Sequence, residues 1–176
     1  MKHASEVILK LPIQTELGVF RASYSEAGLA ALDFPDKDAR YETPELSARV
    51  PKSISAWHEI TRAALSSILT GHAPKRLPPF DLSAGTEFQQ HVWKALQEIA
   101  FGETRTYAEI ANLINNPRAV RAVGGACGAN PIPVLIPCHR VLASKNKLGG
   151  FSGGLNWKRI LLECEGRQTW GALRDG

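Results

Sequence analysis

Asn130-Pro131-Ile132-Pro133-Val134-Leu135-Ile136-Pro137-Cys138-His139-Arg140-Val141 is the most constrained stretch of the chain. Three prolines within seven positions remove backbone donors and fix φ, so a helix is excluded and a rigid extended segment is predicted. Val134, Leu135 and Ile136 between them form an apolar run that must be buried. The segment therefore crosses the interior and ends by presenting a thiol, an imidazole and a guanidinium on consecutive residues. A cysteine held stiffly beside a proton acceptor is how a nucleophile is built. The same residues also suit a buried structural cysteine flanked by a surface His139 and Arg140.

Upstream lies a series of capped helices. Thr86 with Gln89 reads as a capping box, opening a helix with Phe88, Val92, Leu96 and Ile99 on one face and Gly102 after it. Thr106 with Glu109 reads as a second box, starting a short helix from Tyr107 to Ile114. Asn116 is expected to cap a third helix with Pro117 at its first position, running through Arg118, Arg121 and Gly125 to about Cys127. Two short helices joined by an Asn-Asn turn resemble a helix-turn-helix, which serves as scaffolding as well as in nucleic-acid binders. A small face (Ala119, Ala122, Gly124, Gly125, Ala126, Gly128) would let another backbone approach, and Arg118 and Arg121 favour a nucleic-acid contact. Downstream, residues 144–150 form a basic turn. A last helix from about Leu155 to Cys164 carries Ile160 and Leu161 inward.

The first part of the chain differs. Val7–Leu11, Gly18–Tyr24 and Gly28–Phe34 read as strands of an antiparallel meander. Residues 36–52 read as an exposed loop, and Ile54–Leu69 has helical spacing of apolar residues with Gly71 as its stop. His58 and His72 are expected at the surface. Ala73–Asp81, with three prolines, has the composition of a linker. The fold class is thus α/β, with two domains: residues 1–80, a small antiparallel sheet plus helix, and residues 81–176, mostly helical. Trp57, Trp93 and Trp157 are expected in the core, with Trp170 in a polar tail.

The totals agree with a globular intracellular protein. The net charge of +4 over 176 residues lies wholly in residues 86–176, which hold 11 basic and 7 acidic residues, as phosphate-backbone binding requires. No run has the length of a membrane span, and Met1–Glu6 lacks the apolar region of a signal peptide. Three cysteines, an odd number, argue against a disulfide framework and for a reducing, cytoplasmic setting. Cys127, Cys138 and His139 lack the paired spacing of zinc ligands, so no metal is expected. Cys127 and Cys164 read as packing residues.

Pro137-Cys138-His139-Arg140 with its preceding Asn130–Ile136 resembles the active-site segment of the O6-alkylguanine-DNA alkyltransferases, also called methylated-DNA–protein-cysteine methyltransferases. The resemblance extends to Arg118–Ala126, Gly150–Gly154 and Leu161–Gly166, covering residues 80–167 well and the first 80 loosely. It implies an RNase H-like N-terminal domain, a winged helix-turn-helix-like C-terminal domain, and a single-turnover, cofactor-free transfer of an alkyl group to Cys138. The partner implied is double-stranded DNA containing O6-alkylguanine, bound by a monomer with no membrane; cooperativity along DNA is left open.

The resemblance also implies roles. Cys138 would be activated through a water by His139, oriented by Glu165; by residue type alone Glu165 is a solvated helix-end carboxylate. Tyr107 would rotate a phosphate and protonate the leaving base, and Arg121 would fill the gap left by the flipped nucleotide. Arg118 and Ala119 would contact DNA beside them. Asn130 would tie the helix-turn-helix to the cysteine segment. The carbonyls of Cys138 and Val141 and the N–H of Ser152 would read the base, with Pro133 packed on it. Phe151 stands where many relatives carry Tyr, so a ring lines the pocket without its hydroxyl. Some relatives hold a zinc with N-terminal cysteines, and none stands in the first 126 residues here. A lesion-flagging relative without transfer activity is the second class considered, an unrelated thiol enzyme or redox sensor the third.

Overall fold

The computed structural model describes residues 6–36 and 50–166. Three strands, β1 (Leu9–Thr15), β2 (Gly18–Tyr24) and β3 (Leu29–Asp33), form an antiparallel meander in that order. The first strand begins two residues later than expected and runs on through Pro12, opposite Arg21. Proline is tolerated there because β1 is an edge strand and needs no outward donor. Alternation places Leu11, Ile13, Phe20, Ala22 and Leu32 in the core.

Helix α1 (Lys52–Leu69) buries Ile54, Ala64, Leu65 and Ile68. Its His58 is not a free surface residue: Nδ1 lies 3.1 Å from the Tyr24 hydroxyl, which also donates to Thr61 at 3.0 Å. The proline-rich connection after it is anchored, since the N–H of Leu29 donates to Pro79 O and the N–H of Asp81 to Leu29 O, both at 2.8 Å. Most of the loop expected over 36–52, and Trp170, lie outside the described residues.

The second half follows the expected caps. Helices α2 (Glu87–Gln97) and α3 (Tyr107–Leu113) both open with complete capping boxes, at Thr86/Gln89 and Thr106/Glu109. Helix α4 starts later than its sequence suggests, at Val120, and ends at Gly128. The cause is Asn115, whose φ of 56° closes α3 with a bond from the Asn116 N–H to Ala111 O (2.9 Å). Asn116, Pro117 and Arg118 then form a turn, closed by the Ala119 N–H on Asn116 O (2.9 Å). Two-residue strands β4 (Arg105–Thr106) and β5 (Val141–Leu142) pair in parallel, fixing the start of α3 beside the chain just past the cysteine. The last helix, α5, spans Leu155–Cys164 as expected.

The segment around Cys138 is not extended. Residues 133–135 turn, the Ile136 N–H reaches back to Ile132 O at 2.9 Å, and Cys138–Arg140 is a single 3-10 turn. Val134 sits at φ 73°, strained for a β-branched residue. Asn130 holds this loop: its side chain accepts from the Ile132 N–H (3.0 Å) and donates to Ile136 O (2.8 Å). One continuous apolar core runs from β1 through α5.

Candidate active site

The 3-10 turn places Cys138, His139 and Arg140 all inside the protein, at 2%, 0% and 6% exposure. A surface His and Arg beside a structural cysteine is therefore excluded. The Cys138 sulfur accepts from Asn130 Nδ2 at 3.1 Å, and the backbone N–H groups of Cys138 and His139 also point to it. Burial pushes the thiol above its ordinary value; the Asn130 bond and the charge of Lys158 oppose that push.

On the next residue, His139 Nε2 lies 2.8 Å from Glu165 Oε1, and the other ring nitrogen, Nδ1, is buried without a protein partner. Burial holds the imidazole below its usual pKa, against the pull of Glu165. The resting pair is thus thiol and neutral imidazole, a state in which Nδ1 can take a proton. Glu165, the residue after α5, is only 7% exposed and not solvated. Its carboxylate accepts from Arg140 Nε (2.9 Å) and Nη2 (2.9 Å), and from the Gly102 N–H (3.1 Å). Burial alone would raise its pKa, but the His139 and Arg140 bonds and charges win and hold it at about 2. Arg140 is fixed in turn by Ile99 O at 2.6 Å and by the face of Phe101.

A cavity of about 350 Å³ opens on Cys138, lined by Tyr107 from α3, Gly124, Cys127 and Gly128 from α4, and Gly150, Phe151 and Ser152. Cys127 is thus a wall of this cavity as well as a packing residue. The Tyr107 hydroxyl donates to Gly150 O at 3.4 Å, and burial raises its pKa to about 12. Pro133 does not reach this cavity. It lines a neighbouring one with Asn130, Pro131, Ser152 and Gly153.

Arg118 lies in the turn before α4, Ala119 caps that helix, and Arg121 is its second residue rather than its middle. Both arginines are exposed, and neither forms an ion pair among the described residues. A Cβ added at Gly124, Gly125 or Gly128 would meet nothing within 4 Å, so this face of α4 is open to a partner.

Lys158 was not anticipated. It is fully buried on α5, and its ammonium donates to Val141 O (2.6 Å), to Leu148 O and to Gly150 O (3.5 Å). Desolvation lowers its pKa to about 8. It ties the chain after Cys138 to the Gly150 lip and leaves the Val141 carbonyl one lone pair for another donor. A signal was present: Leu155, Lys158, Leu161 and Leu162 share one helical face. Among the described residues no three His, Cys, Asp or Glu side chains converge as metal ligands, and no helix is long and apolar enough to cross a membrane.

A buried thiol next to an imidazole bonded to a carboxylate, beside two short helices joined by a turn, defines a cysteine-centred reaction site. The family model for the DNA-binding domain of 6-O-methylguanine DNA methyltransferase matches residues 87–167. A methylated-DNA–protein-cysteine methyltransferase of Methanosarcina barkeri is 44% identical over 156 residues, 87% of this chain and 94% of that protein. The protein of that name from Haemophilus influenzae is 60% identical over 81 residues, a match spanning 45% of its length and 46% of this chain. The crystal structure of Mycobacterium tuberculosis OGT in complex with DNA superposes with a TM-score of 0.71 at 39% identity, covering 89% of this chain and 91% of that one. The chain belongs to the methylated-DNA–protein-cysteine methyltransferase family.

Proposed function

We propose that the protein repairs alkylated DNA by moving the alkyl group of O6-alkylguanine, and less well of O4-alkylthymine, onto Sγ of its own Cys138. The observation that carries this is the thiol itself: buried, held by Asn130, facing a cavity of about 350 Å³, and followed in the chain by the Glu165-bound His139 with its unpartnered Nδ1. In the reaction the thiol proton passes through one water to His139 Nδ1, and the resulting imidazolium is stabilised by Glu165. The sulfur lone pair attacks the alkyl carbon in line; the S–C bond forms as the C–O6 bond breaks. The departing guanine takes a proton from the side of Tyr107. The thioether has no leaving route, so each molecule acts once.

The base must leave the duplex to reach this cavity. Arg121 fills the space it vacates, Arg118 and Ala119 meet the adjacent backbone, and the open glycine face of α4 admits the DNA. The carbonyls of Cys138 and Val141 and the N–H of Ser152 read the flipped guanine. Phe151 stacks along it without a hydroxyl to offer, and Pro133 supports the wall from behind. The same proposal includes residues 1–80 as an RNase H-like domain and 81–176 as a winged helix-turn-helix acceptor domain. It also includes action as a monomer in the cytoplasm, without a cofactor.

Intact mass after incubation with an oligonucleotide carrying O6-methylguanine tests it. One added methylene per chain, mapped to the peptide of Cys138 and absent in Cys138→Ala, is the expected result. Tight lesion binding without mass change would instead make the protein a lesion-flagging relative.

A further inference from the structure

The cavity at Cys138 has one large apolar wall besides Tyr107, the ring of Phe151. That ring does not stand alone. Its outer side meets Phe34, just past β3, edge to face with centroids 5.7 Å apart. Phe34 is clamped by Trp157 of α5 (4.8 Å) and Phe20 of β2 (5.7 Å), which touch each other at 5.4 Å. The loop between cavity and sheet has no slack: a Cβ on Gly153 would collide with the Phe34 ring and come within 3.0 Å of Phe151. The loop that leads to Cys138 is tied to the sheet as well, since the Leu32 N–H donates to Pro131 O at 2.9 Å. Between these two tethers lies the second cavity, about 360 Å³, lined by residues 31–34, Pro131, Pro133, Ser152 and Gly153.

We propose that Phe34, which does not touch the acceptor cavity, is a positioning residue that sets its width: by holding Phe151 and Gly153 forward, it fixes how large an alkyl group can meet Cys138. The proposal rests on the alkyl-transfer function set out above. A methyl group needs no movement of the wall. An aromatic alkyl group such as benzyl needs Phe151 to swing outward, toward Phe34 and the second cavity that Phe34 lines. Phe34 bars that movement. Shortening it removes the bar while leaving Cys138, His139, Glu165 and the helix-turn-helix untouched.

The test compares transfer rates from oligonucleotides carrying O6-methylguanine and O6-benzylguanine, in the full chain and in Phe34→Leu. The benzyl-to-methyl rate ratio should rise about tenfold, with the methyl rate changed by less than about threefold, the scale on which an apolar pocket discriminates by size. In a Phe151→Leu background the same substitution should leave the ratio where it is, because the ring being held is gone. A general loss of packing would slow both substrates together and could not move the ratio. An unchanged ratio in Phe34→Leu overturns the proposal. If that variant does not fold, Phe34→Met, closer in volume, carries the same comparison. Wild-type protein that transfers neither group refutes the alkyl-transfer function, and this inference with it. Wild-type protein that transfers both, with a ratio indifferent to Phe34, refutes the inference alone.

Discussion

Glu165 joins three separated parts of the chain in one carboxylate: His139 and Arg140 beside the thiol, the Gly102 N–H after α2, and its own helix end. Its pKa, held at about 2 against an ordinary 4.5, dictates a sign. A depressed carboxyl contributes stability that is fully present above the unfolded value and is lost as pH falls through the folded one. The unfolding free energy from urea titrations should therefore fall between about pH 4.5 and 2, by roughly 3 kcal/mol for this residue. Glu165→Gln should remove that pH-dependent segment. It also leaves Arg140 buried and uncompensated, so a cost of about 3–5 kcal/mol is expected at pH 7. Thiol alkylation by a small reagent should slow in the same variant, because His139 loses its orienting acceptor; an unchanged rate would remove His139 from the proton path. Cys138, His139 and Asn130 stood out in sequence because they cluster within ten residues. Glu165 was reached by resemblance, since 25 residues separate it from its partners and only the folded chain shows that it is buried. Lys158 was missed although its place on an apolar face was visible, because lysine is ordinarily solvated.

At the scale of elements, side-chain caps were legible and backbone left-handed residues were not. Thr86/Gln89 and Thr106/Glu109 announced α2 and α3 correctly because a capping box is written in the residues that make it. Asn115 misled: it closes one helix rather than allowing the next to begin at Asn116. The proline segment misled for a related reason. Prolines fix their own φ, but Val134 between them turns back, held by Asn130 from outside the run. The caps supply a contrast between stability and function. Thr86→Ala and Thr106→Ala should each cost about 1 kcal/mol, read as a shift in urea midpoint. Only Thr106→Ala should also slow alkyl transfer, because α3 starts with Tyr107 on the cavity wall. Equal effects on transfer would mean that Tyr107 needs no such placement.

Across the whole molecule, the sheet and the helical half share one core and are tied at Leu29–Asp81, Leu32–Pro131 and Phe34–Phe151. Unfolding followed by far-ultraviolet circular dichroism and by the fluorescence of Trp57, Trp93 and Trp157 should give one coincident transition. Two separate transitions would show that the halves are energetically independent. The meander of strands was read from the residue pattern, whereas the roles of Tyr107, Phe151 and Ser152 at the site were implied by the family resemblance. The ties between halves were not legible, because Phe34, Asp81 and Pro131 carry no pattern that names their partners. Methylating Cys138 adds volume at a position 2% exposed and weakens the sulfur as an acceptor for Asn130. A loss of about 1–3 kcal/mol is expected, measured by comparing unfolding before and after reaction; equal stability would mean that the cavity absorbs the methyl group freely.

Asn130 grips the sulfur and both ends of the Val134 turn with a single amide. A spent molecule therefore differs from a fresh one in more than the mass of one methyl group. The grip that keeps the turn in its costly conformation has one of its three holds weakened. The loop becomes a memory: its looseness records, copy by copy, which molecules have met damage. A protease that samples local opening could read that record and clear the used copies while sparing the unused.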